Sequence, residues 1–210
     1  MADMIVSTFQ RGGSSLVMQM LYAGGLDCAG SAPDFEDGRA MLRRESGNDA
    51  QWISGEDGAV KLLEPQRFKT GQRVALSAIW LDRDPMARAR SAVRFMASKG
   101  VPIAAARQSM RAFASSYVHD RKMALHHLAG LCAGNVMALT FEELVQDPRK
   151  AARMIAGLIP HRGLDQAAMA SVAIPRPAGL APEMLEPRLL QLWASGRMAV
   201  PAGRIGSAHA

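Results

Sequence analysis

The sequence predicts a three-layer α/β/α sandwich around a central, mostly parallel sheet of about four or five strands. Three observations carry this. Short apolar runs recur along the chain, each followed by a segment with helical spacing of apolar residues. Gly, Pro and Ser/Thr caps punctuate them, signals of helix starts and stops. Strands that alternate with helices pair in parallel, because the intervening helix carries the chain back to the same end of the sheet. Of 210 residues, 49% are hydrophobic and 21% charged, the balance of a folded globular chain and not of a largely disordered one.

The elements follow in order. Met4 to Phe9 (MIVSTF) reads as a short buried strand. Gln10 to Ser15 (QRGGSS) is a Gly-rich turn, and Leu16, Val17, Met20 and Leu21 then keep helical spacing until Gly24-Gly25 ends the helix. From Asp27 to Gly58 the chain is polar and irregular, with one helix expected over 35–45. Gly58 to Leu63 reads as a second strand and Arg73 to Leu81 as a third. Pro85 opens a helix to about Ser98, stopped by Gly100, and a long helical stretch runs from Ile103 to Cys132. Asn135 to Leu139 is the fourth strand; Thr140 with Glu143 then forms a capping box, and Pro148 starts a helix to about Ile159. After Pro160, helical turns are expected over 164–172 and 183–196, with a flexible tail at 205–210. The expected division is an α/β domain over 1–160 and a C-terminal helical extension with its tail over 161–210.

Lys and Arg number 25 against 19 Asp and Glu, a net charge of +6, with a pI near 9.9. Such a balance favours an anionic partner. Aromatics at 5% weigh against a stacking platform for single strands, and no nucleic-acid-binding motif is present, so no nucleic-acid partner is expected. No run approaches ~20 apolar residues, so no membrane span is expected. The first residues lack a basic region followed by an apolar core, and Cys28 and Cys132 fit a reducing compartment and no zinc spacing. The expected location is the cytoplasm, and no metal is expected. His126 and His127 are adjacent and point to different faces of their helix.

A Gly-rich loop between a strand and a helix can wrap backbone N–H groups around an anion, aided by the helix dipole. Arg11 adds a guanidinium fork, and Ser14 and Ser15 add hydroxyls. The same residues also suit a tight turn with a Ser cap. The triphosphate-binding version, G-x-x-x-x-G-K-[ST], is not matched: Thr8 stands at the first Gly position and Ser14 at the Lys.

Phe9-Gln10-Arg11-Gly12-Gly13-Ser14-Ser15-Leu16 resembles the loop of the P-loop sulfotransferases, usually P-[RK]-S-G-T-[ST] after a first strand. Ile79-Trp80-Leu81-Asp82-Arg83-Asp84-Pro85, with Ser91 beyond, resembles the family's strand–R-[DN]-P–helix element. Leu139-Thr140-Phe141-Glu142-Glu143-Leu144-Val145-Gln146-Asp147-Pro148 resembles its [YF]-E-[DE]-L-x-x-D-P block. The resemblance spans about 5–159. It implies a fold like that of the P-loop nucleoside triphosphate hydrolases, with nucleotide binding in the 1–160 domain. It implies a sulfotransferase that moves a sulfuryl group from 3′-phosphoadenosine 5′-phosphosulfate, the donor, to a hydroxyl or amine acceptor. By the same resemblance Arg11, Gly12, Gly13, Ser14 and Ser15 hold the 5′ end of the donor, and Arg83 and Ser91 its 3′-phosphate. Arg88 and Arg90 either add positive field nearby or are solvated.

Several positions depart from the family pattern. Gln10 replaces the loop Pro, Gly12 replaces a Ser, and Leu16 stands where a Trp often stacks the adenine. Lys61 matches the Lys of the family's K-T-H, but Leu63 occupies the His position. Other branches use a Glu as base; Glu64 and Glu36 are the candidates, and Lys61 and Arg11 the cations that would offset charge on the leaving phosphate. Two alternatives stand beside the transferase: a non-catalytic nucleotide- or anion-binding relative, and a P-loop kinase, which lacks its loop Lys here.

Overall fold

A computed structural model describes residues 2–36, 53, 58–67, 73–98 and 100–173. The expected helical turn at 183–196 and the tail at 205–210 lie outside the described residues, as do 37–45 of the expected helix over 35–45.

Four strands form one sheet in the order β2-β1-β3-β4, where β1 is Ala2–Thr8, β2 Gly58–Leu63, β3 Ser77–Asp82 and β4 Val136–Thr140. Every pairing is parallel: Thr8 sits opposite Leu63 on one side and Leu81 on the other, and Asp82 opposite Thr140. All four carboxyl ends therefore share one edge. The helices are α1 (Ser14–Ala23), α2 (Pro85–Ser98), α3 (Ile103–Leu131), α4 (Phe141–Gln146), α5 (Pro148–Leu158) and α6 (Gln166–Val172).

The alternation of side chains across the strands makes two cores. On one face Met4, Val6, Ile79, Leu81 and Leu139 pack against α1, α4, α5 and α6. On the other, Ile5, Val60, Leu62, Ala78 and Trp80 pack against Ala124, Leu128 and Leu131 of α3. Burial on both faces is why β1 and β3 read as continuous apolar runs. The chain is thus an α/β fold with helices on both sides of a parallel sheet.

Two expected elements shift. The third strand starts at Ser77, not Arg73. Val74 instead joins the end of α3, donating its N–H to Leu131 O at 2.8 Å and accepting from Ala133 N at 2.9 Å. Phe35 lies in a turn with φ 55 and is 2% exposed, so the start of the expected helix over 35–45 is not helical. The capping box is as expected: Thr140 Oγ1 accepts from Glu143 N at 3.1 Å, and the Glu143 carboxylate from Thr140 N at 2.8 Å. Beyond Pro160 the chain returns to the core. Asp165 caps α6, its N–H reaches Gly24 O at 3.0 Å, and Met169 and Val172 are buried beside α1.

Candidate anion-binding site at the strand ends

The Gly-rich loop joins the end of β1 to α1. Gly12 N donates to Phe9 O at 3.0 Å, closing a tight turn. Arg11 takes φ 62 and Gly13 φ 105. The left-handed conformation costs a non-glycine residue about 1–2 kcal/mol, so Arg11 is held there by its contacts. At Gly12 an added Cβ would overlap Thr8 Oγ1 and approach Phe9 O to 2.9 Å; at Gly13 it would meet Phe141 Cδ2 at 2.5 Å. The Thr8 hydroxyl is itself fixed, donating to Leu81 O at 2.6 Å. That hydroxyl is why this loop carries Gly at position 12: no side chain fits. Among the described residues no acceptor meets the amides of Gly13, Ser14 and Ser15, so they head α1 as free donors.

Two cationic clusters flank the loop. The first is Lys61, on the α1 side of β2. Its ammonium donates to Ser15 Oγ at 3.1 Å, Asp34 O at 2.8 Å and Glu36 Oε1 at 3.2 Å. The Lys61 side chain is 4% exposed and that of Glu36 62%. Burial, with Arg11 nearby, lowers the Lys61 pKa below its ordinary value; Glu36 and Asp34 oppose that shift.

The second cluster joins Arg11 of the loop to Arg83, just before α2, and to the first turns of α2. Arg83 Nη1 donates to Arg11 O at 3.0 Å, and its guanidinium stacks 4.4 Å over the Phe141 ring. Its buried Nε has no partner among the described residues. Arg11 Nε reaches Ser91 Oγ at 3.3 Å, with Ser91 buried and Arg11 stacked 4.7 Å over Phe95. Arg11 thus touches both Arg83 and Ser91, which brings the three together. Arg88 is 5% exposed and donates to Gln10 O at 2.7 Å, with its guanidinium 4.8 Å over Phe9 and 5.9 Å over Tyr117. Burial pushes its pKa down to about 10. Arg90 is exposed, so of this pair only Arg90 is a solvated cation.

The two candidate bases separate. Glu36 touches Lys61 and is open to solvent. Glu64 is buried, takes φ 53 and pairs with Arg67 at 2.7 Å, while its N–H holds Thr8 O at 2.9 Å. Sequence reasoning passed over Asp82, the last residue of β3. Its carboxylate accepts from Trp80 Nε1 at 2.8 Å, Tyr117 OH at 3.2 Å, and Arg121 Nε and Nη2 at 2.9 and 2.6 Å. Burial works against its charge, but hydrogen bonds from Arg121, Trp80 and Tyr117 outweigh it and lower the pKa. Its place beside Arg83 was the available signal.

The fold and the site define an α/β protein with a basic, Gly-rich loop between strand and helix, fit to bind an anion at the carboxyl edge of its sheet. No family model and no curated protein matches the chain. Solved structures that resemble it include retinol dehydratase in complex with androsterone and the inactive cofactor PAP, at 13% identity and a TM-score of 0.46. That alignment covers 81% of this chain and 63% of the other, so this chain spans less than two thirds of that protein. The sulfotransferase from Alicyclobacillus acidocaldarius is similar at 13% identity and a TM-score of 0.44, over 93% of this chain and 92% of that one. The sulfotransferase domain from the curacin biosynthetic pathway is similar at 15% identity and a TM-score of 0.45, over 98% and 94%. No helix among the described residues is long and apolar enough to cross a membrane.

Proposed function

We propose that this chain is a divergent sulfotransferase, moving a sulfuryl group from 3′-phosphoadenosine 5′-phosphosulfate to a hydroxyl or amine. The observation that carries the reading is the convergence of Arg11, Lys61, Arg83, Ser91 and the free loop amides at one sheet edge. The buried, unpartnered Nε of Arg83 supports an anion there, because a desolvated guanidinium donor is costly unless something accepts from it.

In this reading the amides of Gly13, Ser14 and Ser15 and the two Ser hydroxyls orient the 5′ end of the donor, and Gly12 closes the turn that presents them. Arg83 and Ser91 take the 3′-phosphate. The bond from sulfur to the bridging phosphate oxygen breaks as sulfur bonds to the acceptor heteroatom. Lys61 and Arg11 offset the charge that grows on the leaving phosphate. Glu36 takes the acceptor's proton, since it alone of the two candidates is both accessible and in contact with Lys61. Glu64 serves the fold, holding Thr8 O through its amide. Nothing in this scheme calls for a metal ion, and the reading places the protein in the cytoplasm.

The test is calorimetric titration with 3′-phosphoadenosine 5′-phosphate, beside ATP with magnesium, on the wild type, Arg11→Ala and Arg83→Ala. Losing one charged hydrogen bond weakens binding by ~1.5–3 kcal/mol, about 10- to 150-fold. Selective binding of the bisphosphate, weakened by both substitutions, is expected. A folded protein that ignores the bisphosphate refutes the reading. Binding without transfer to any acceptor in a broad panel leaves the non-catalytic relative.

A further inference from the structure

Arg83, just before α2, and Arg88, in its first turn, hold two consecutive carbonyls of the anion loop. Arg83 donates to Arg11 O at 3.0 Å and Arg88 to Gln10 O at 2.7 Å. The N–H that shares the Arg11 carbonyl's peptide is that of Gly12, and it closes the turn on Phe9 O at 3.0 Å. The two guanidiniums and this bond together fix the turn that leads into the free amides of Gly13, Ser14 and Ser15. The left-handed backbone of Arg11 is the conformation that needs such a restraint, because a non-glycine residue leaves it readily once its contacts go.

Arg88 is placed for this task more than for solvent or ligand. It is 5% exposed, and Phe9 and Tyr117 flank its guanidinium. Phe9 is the residue just before the loop, packed edge-on to Trp80 at 5.2 Å and against Tyr117 at 5.7 Å. Tyr117 in turn donates to Asp82, which also binds Arg121. The loop, α2, α3 and the end of β3 thus meet around one buried cation.

We propose that Arg88 is a positioning residue that locks the Gln10–Arg11 peptide, and with it the turn that presents the Gly13, Ser14 and Ser15 amides to an anion, acting through the loop backbone without touching the ligand. Its bearing on catalysis rests on the transferase reading above; the lock itself does not. The test therefore has two readouts on the full chain. One is the ¹⁵N backbone order parameters of residues 10–13 without ligand, with β1 as the internal reference. The other is affinity for 3′-phosphoadenosine 5′-phosphate. In Arg88→Met the loop order parameters are expected to fall from about 0.85 toward 0.6 or below while those of β1 hold, and the bisphosphate Kd to rise at least tenfold. Arg88→Lys keeps a donor and a charge, and recovers part of both; it also serves if the Met variant fails to fold. Loop order parameters unchanged in the Met and Lys variants overturn the lock. A loosened loop in variants of a wild type that binds no bisphosphate supports the lock and sinks the transferase reading. A loosened loop with undiminished bisphosphate binding overturns the proposed link between loop orientation and anion binding.

Discussion

Asp82→Asn is the substitution that most directly tests how the strand ends are fixed. The carboxylate takes hydrogen bonds from three side chains, and its ion pair with Arg121 is bidentate. Side-chain exposure is 17% for Asp82 and 38% for Arg121. A fully exposed pair contributes ~0–1 kcal/mol, whereas breaking a buried one costs ~3–5 kcal/mol. With Arg121 more than a third exposed, screening brings the expected loss to ~2 kcal/mol at neutral pH. At this chain length that is a fall in Tm of ~4–8 °C. The pH dependence has a definite sign. Because the folded pKa is lowered, the unfolded chain binds more protons, and stability rises with pH. The contribution is fully present above the ordinary carboxylate value of ~3.9 and is lost as pH falls through the lower folded value. Urea denaturation of wild type, Asp82→Asn, Arg121→Met and the double variant, from neutral pH into acid, measures both effects. The wild-type advantage over Asp82→Asn should be flat above about pH 5 and shrink below about pH 4. A coupling energy under about 0.5 kcal/mol, with parallel pH curves, would refute the reasoning.

Three further outcomes are expected. Glu36→Gln should change stability by less than about 1 kcal/mol, since Glu36 is itself mostly exposed and the amide oxygen still accepts from the buried Lys61 ammonium; on the transferase reading it should lower sulfuryl transfer about 100- to 10,000-fold, and a fall under tenfold assigns the base elsewhere. Lys61 has a pKa lowered by burial, so the unfolded chain holds its proton more tightly and stability should gain with pH from the lowered folded value up to the ordinary ~10.4. Lys61→Met should abolish that gain in denaturation midpoints taken from neutral to alkaline pH; identical slopes count against it. Gly13→Ala puts a Cβ 2.5 Å from Phe141 at φ +105, and should cost about 2 kcal/mol or more, read as a drop in Tm; a change within half a kilocalorie would mean the loop relaxes freely.

The sheet and its order of elements were legible because β1, β2 and β3 are buried on both faces and the turns are marked by Gly, Pro or a cap. The loop was legible for the same reason: Gly12 and Gly13 sit where a Cβ has no room. Thr140 and Glu143 could be read as a capping box because the signal is local. What escaped were contacts made across the chain by charges that no motif marks. Arg88 and Gln10 are 78 positions apart, and Asp82 and Arg121 39. A guanidinium looks the same in sequence whether it is solvated, like Arg90, or buried between two rings, like Arg88. Glu36 and Glu64 were likewise indistinguishable until burial separated them. The irregular stretch before β2 misled for a further reason: Phe35 looks helical in its local pattern, but its side chain is drawn into the core against Tyr22, at 5.7 Å between rings.

The return of the chain to Gly24 at Asp165 bears on the time order of folding. No strand pair in the sheet is a hairpin, so every pairing must close a long loop before it gains anything, the pattern of slow-folding topologies. The helix that begins at the loop waits longest, because its last turn is sealed by Met169 and Val172. A chain emerging from the ribosome has made the anion loop early but cannot complete the packing at the end of α1, around Gly24, until roughly 140 further residues have followed. During that interval the nascent protein presents an unsealed apolar helix, and any loss of residues 164–173 would leave it in that state permanently.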